Sequence, residues 1–177
     1  MKTIIIVLCL FLFSCGGNES INQYQYWPES CESDTVFIGD SITYWWPPEF
    51  LPEGCNYGVP SSMSFDWLNW EPPTTDHTYI LLGVNDFREG LSVDAVYKNI
   101  MTISEKYEDV TLVSVLPTSR GYDFLNPKIT DLNNRLAVSG YKFIDLSYFD
   151  PTLTSDGLHP TYEGYESVND QFQIYNN

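Results

Sequence analysis

The residues able to do chemistry in this chain are few and sit at strand ends. Residues 35–38 form a β-branched and aromatic run that leads straight into Gly39-Asp40-Ser41, so Ser41 falls where a buried strand ends and a turn begins. A serine hydroxyl held there is a candidate nucleophile if a base and hydrogen-bond donors can reach it. Gly, Asp and Ser also favour ordinary turns and helix caps, so the tripeptide alone decides nothing. Of the two histidines, His77 opens a strand and belongs to the opposite sheet edge, whereas His159 follows the last strand on Ser41's side. His159 is therefore the expected base. Asp156, in the turn Asp156-Gly157-Leu158-His159-Pro160, can accept the proton on one ring nitrogen and fix the tautomer. Three donors are expected for a developing oxyanion: the Ser41 N–H, the Gly58 N–H after the second strand, and the Asn85 amide after the third. The set suits attack on a carbonyl carbon, with rates falling below about pH 6.5 as a histidine base protonates.

These residues meet only if the elements align them on one edge. Apolar runs at 35–38, 56–58, 77–82, 109–116 and 142–146 read as five strands. Ser92 caps a helix with Val93, Val96, Ile100, Ile103 and Tyr107 at helical spacing, and Ile129, Leu132 and Leu136 repeat the period before Gly140. A last helix runs from Thr161 towards Phe172. Shorter turns follow Ser41, where Pro47-Pro48 intervene, and Ser61-Ser62, which can cap a turn through Trp67 and Trp70. Strands alternating with helices imply a parallel sheet with right-handed crossovers, covered on both faces. The expected class is α/β, a five-stranded parallel sheet in three layers. Ligands bind such sheets at the C-terminal strand ends, where Ser41, Gly58, Asn85 and His159 all fall.

The 177 residues suffice for one domain with a sizeable core. Met1-Lys2 and the apolar residues 3–13 are too short to span a bilayer and have the shape of an export signal. Cys15, followed by Gly16-Gly17, resembles the acylated cysteine of a bacterial lipoprotein signal, which implies a lipid anchor in the cell envelope. Residues 1–15 are then the leader, 16–33 a tether and 34–177 the folded domain. Export leaves Cys31 and Cys55 as a pair at the N-terminal sheet edge. A bridge there would contribute about 3 kcal/mol, with two free thiols as the alternative. Neither cysteine has zinc-site spacing to the histidines, so no metal or cofactor is expected. The formal charge of -16 becomes -17 on loss of Lys2 with the leader, and a surface so negative repels nucleic acid.

Gly39-Asp40-Ser41, Gly58, Gly83-Val84-Asn85-Asp86 and Asp156-Gly157-Leu158-His159-Pro160 together resemble the SGNH hydrolase (GDSL-like esterase/lipase) superfamily, in the family's order. The resemblance implies a flavodoxin-like three-layer fold and metal-free ester hydrolysis. In it Ser41 is the nucleophile, His159 and Asp156 complete a triad, and Ser41, Gly58 and Asn85 form the oxyanion hole. Tyr44, Trp45, Trp46 and Phe87 flank the expected site as a platform for sugar rings or a wall for acyl chains, or simply fill the core. A lidless, anionic, exported chain suits removal of short acyl groups such as acetyl from carbohydrate or other small esters. A lysophospholipase or thioesterase for longer chains, or a carbohydrate-binding lipoprotein without catalysis, are the alternatives. Arg88 is expected to pair with Asp86 or Glu89, with binding of a substrate carboxylate as the alternative.

Overall fold

The computed structural model describes residues 33–70 and 75–176. Its centre is a five-stranded, wholly parallel sheet in the order β2-β1-β3-β4-β5, formed by β1 (Thr35–Gly39), β2 (Cys55–Gly58), β3 (His77–Leu81), β4 (Val110–Val113) and β5 (Lys142–Ile144). Between them lie α1 (Ser41–Tyr44), α2 (Val84–Arg88), α3 (Val93–Ser104) and α4 (Asn126–Ala137), and α5 (Tyr162–Asn176) closes the described chain. The expected three-layer α/β architecture is the observed one.

Side-chain alternation along the strands divides the core. Phe37 and Tyr79 are register partners and stack at 4.7 Å, and Tyr79 meets Phe172 of α5. Gly83, just after β3, approaches Leu132 of α4, Val96 of α3 and Val115 on the other face. Amphipathic helices thus cover both faces, because each strand exposes an apolar row on either side. The caps follow the sequence in part. Ser92 Oγ accepts the Ala95 N–H at the start of α3. The 3-10 turn Ser64–Trp67 is instead held by Asp66, whose carboxylate accepts the Met63 N–H, rather than by Ser61 or Ser62.

Two strands are shorter than their apolar runs. The Asn133 side chain accepts from the Val115 N–H and donates to the Val115 carbonyl, taking the place of a neighbouring strand. Ser114 Oγ accepts the Leu146 N–H, so the last rungs of β4 and β5 are satisfied by side chains and the regular ladder stops early. β1 and β2 are parallel neighbours, with Val36 opposite Cys55. Cys55 is therefore buried at the N-terminal edge. Cys15 and Cys31, with the leader and nearly all of the tether, lie outside the described residues. Among those described, no helix is long and apolar enough to cross a membrane.

Candidate active site

β1 delivers Asp40 and Ser41 to the C-terminal sheet edge. Asp40 caps α1, its Oδ1 accepting the Ile42 N–H at 2.9 Å. Ser41 is the first residue of that helix, so its own N–H has no intrahelical acceptor. Prolines keep α1 to one turn, and the Tyr165 hydroxyl pins it to α5 by donating to the Ile42 carbonyl at 2.8 Å.

The loop after β5 brings the other half. Residues 154–160 fold back on themselves through a Thr154–Pro160 bridge and a Ser155 N–H to His159 carbonyl bond. Asp156 Oδ1 accepts the N–H groups of Leu158 and His159, while Oδ2 stands 2.7 Å from His159 Nδ1. One carboxylate therefore builds the turn and orients the ring. Burial alone would push the Asp156 carboxyl up, but the bonds from the His159 backbone and ring and from Leu158 outweigh it and hold it down at about 2. It is an anion across the neutral range. With the ring proton on Nδ1, His159 Nε2 is free to accept from Ser41 Oγ, which lies 2.9 Å away. Ser41, His159 and Asp156 form one hydrogen-bonded chain. His77 is at the far edge, between Asp109 and Thr111.

Asn85 is buried in the first turn of α2. Its Nδ2 donates to the Ser62 carbonyl at 3.1 Å, leaving one amide hydrogen, and its Oδ1 accepts from Arg88 Nη1. Arg88 thereby sets which way the amide points, and its guanidinium lies 5.6 Å from the Tyr122 ring centroid. The expected pairing of Arg88 with Asp86 or Glu89 gives way to these contacts. Asp86 turns inward and accepts from the Ser64 N–H and hydroxyl.

Gly58 does not have the expected role. Its N–H donates to Asn56 Oδ1 at 2.8 Å. The glycine is required because α1 crosses it closely: a Cβ would sit 2.2 Å from the Tyr44 nitrogen. The turn just beyond supplies what sequence reading missed. Ser62 Oγ donates to the Gly39 carbonyl, two residues before Ser41, and the Ser62 carbonyl receives Asn85. Ser61, between this anchor and β2, is exposed and left-handed at φ 65°, a conformation non-glycine residues seldom adopt.

The aromatic expectations divide. Tyr44 and Trp45 are exposed, whereas Trp46 and Phe87 are core residues. Trp46 meets Phe172 edge-on at 5.1 Å because only part of a single helical turn can face solvent. Phe87 is carried inward on the buried side of α2. Among the described residues no group of three or more His, Cys, Asp or Glu stands together to hold a metal ion.

Behind Ser41, Asp40 is fully buried and its Oδ2 has no hydrogen-bond partner among the described residues. Burial pushes the carboxyl up to about 7, helped by the nearby Asp86, while the Ile42 N–H and Arg88 pull it back only in part. The folded value lies above the ordinary 3.8. The stability tied to protonated Asp40 is thus fully present below pH 3.8 and is lost as pH rises through about 7. The melting temperature should therefore fall more steeply between about pH 4 and 7 in the wild type than in Asp40→Asn, which has no charge to bury.

No protein-family model matches the chain, and no curated protein matches it. Solved structures do. A Streptococcus pneumonia protein named for platelet activating factor superposes with a TM-score of 0.70 at 22% identity, over 83% of this chain and 85% of that one. A member of the lipolytic G-D-S-L family from Veillonella parvula gives 0.66 at 19%, over 79% and 96%. The chain has the SGNH hydrolase fold. An acetylxylan esterase from Geobacillus stearothermophilus also shares it, with a TM-score of 0.64 at 16% identity over 80% of this chain and 92% of that one. Within the SGNH fold, Ser41, Asn85 and His159 occupy one sheet edge after β1, β3 and β5.

Proposed function

We propose that the chain is an exported serine ester hydrolase that removes short acyl groups, such as acetyl, from carbohydrate or other small esters. The observation that carries this is the hydrogen-bonded chain from Ser41 Oγ through His159 to Asp156. In the reaction His159 Nε2 takes the Ser41 proton as Oγ attacks the ester carbonyl carbon. The alcohol departs with that proton, and water then releases the acyl group from Oγ with His159 again as base. A fold neighbour that is an acetylxylan esterase supports the choice of acetyl and carbohydrate. The test is covalent: an organophosphonate should label the protein once, at Ser41, in a peptide-mass map. A folded protein left unlabelled would favour the non-catalytic alternative.

The oxyanion donors in this reading are the Ser41 N–H, the remaining Asn85 amide hydrogen and, in place of Gly58, the Ser61 N–H. Ser61 fits because its left-handed turn is tied by Ser62 to both Gly39 and Asn85. Its side chain contributes strain and no donor, so Ser61→Gly should keep kcat within about twofold and leave stability equal or slightly higher. Steady-state kinetics and a thermal melt check this; a large loss of kcat would assign the work to the Ser61 hydroxyl. The reading extends to a lipid anchor on Cys15 and a bridge between Cys31 and buried Cys55.

A further inference from the structure

Beside His159 the surface opens into a cleft of about 440 Å³ lined by Trp45, Pro47, Asp156, Pro160 and Tyr162, within the size range of small-molecule sites. Two of its aromatic rings are left to solvent, Trp45 at 51% and Tyr162 at 61% exposure, yet both are fixed in place. Trp45 stands edge-on to the His159 ring with centroids 4.8 Å apart. Tyr162 packs on Phe50 with ring centroids 4.9 Å apart. Rings held open and rigid provide contact area at little cost in side-chain freedom.

The position of His159 decides which part of an ester this cleft would meet. When the tetrahedral intermediate collapses, the acyl carbon stays bonded to Ser41 Oγ and its bond to the alcohol oxygen breaks. The proton on His159 Nε2 passes to that oxygen, so the leaving oxygen must lie within hydrogen-bond reach of Nε2. Whatever the oxygen carries extends past the His159 ring. The same ring lines the cleft.

We propose that this cleft is the subsite for the alcohol portion of the ester, and that it takes a neutral sugar ring laid against Trp45 and Tyr162. The inference rests on the hydrolase reading above. Flat apolar rings beside carboxylates suit a sugar, which has C–H faces and hydroxyl edges. The Asp156 carboxylate in the cleft wall opposes an alcohol bearing a uronate or phosphate, which sets a lysophospholipid's leaving group at a disadvantage here.

The experiment compares kcat/KM for an acetylated methyl xyloside and for ethyl acetate, in the wild type, Trp45→Ala, Tyr162→Ala and Tyr162→Phe. The sugar-to-ethyl ratio should fall about tenfold in each alanine variant, mainly through KM, and recover to within about threefold of wild type in Tyr162→Phe. A ratio unchanged in both alanine variants overturns the subsite. So does wild-type turnover of ethyl acetate without turnover of the sugar ester. Failure of the wild type on both esters overturns the hydrolase reading itself, and the subsite with it.

Discussion

Ser41→Ala should lower kcat on p-nitrophenyl acetate by about ten-thousandfold or more, with the fold intact. The size follows from the arrangement. Without Oγ there is no atom for His159 to deprotonate, and residues acting as a unit lose nearly all their effect when one is removed. Stability should change by about 1 kcal/mol or less, because Ser41 is a small side chain that gives up one hydrogen bond to a partly exposed ring. Kinetics beside near-ultraviolet circular dichroism check both halves. Residual activity above about one hundredth of wild type would point to a different nucleophile.

Gly58→Ala carries the second large effect, and it is one of packing. An added Cβ meets the Tyr44 nitrogen at 2.2 Å, the Tyr44 Cα at 2.6 Å and the Thr43 carbonyl carbon at 2.8 Å. These are backbone atoms of a helix held by the Asp40 cap and Tyr165 at Ile42 and by Asn56 at the Thr43 carbonyl, so no flexible side chain can yield. A cost of about 3 kcal/mol or more is expected from overpacking of this kind, measurable as a drop in the denaturation midpoint. Turnover should fall with it, since the displaced helix begins with Ser41. The opposite pattern, full stability with lost turnover, would return Gly58 to the oxyanion role that its bond to Asn56 argues against.

That contrast marks how far the sequence is legible. Ser41, His159 and Asp156 can be found from it because strand periodicity fixes which ends share an edge, and His77 is excluded by the same logic. Asn85 follows for the same reason. Ser61 cannot be found this way: its left-handed backbone is imposed by tertiary hydrogen bonds from Ser62, and a serine gives no sign of it. Trp45 and Trp46 are adjacent and chemically identical, so only the docking of α5 decides which is buried. The partners of Arg88 are likewise set by how α2 sits beside Tyr122 and by the inward turn of Asp86. The early ends of β4 and β5 depend on Asn133 and Ser114 reaching across the fold, which periodicity does not report.

The wholly parallel sheet also decides which way the molecule faces. Every strand runs from the edge near Cys55 to the edge bearing Ser41, and Thr35, where the chain enters the sheet, lies on the first of these. A lipid on Cys15 would hold the domain by its back, with the mouth turned outward. Esters in the anchoring leaflet itself would be the hardest to reach, because the domain would have to turn over on its own leash to meet them.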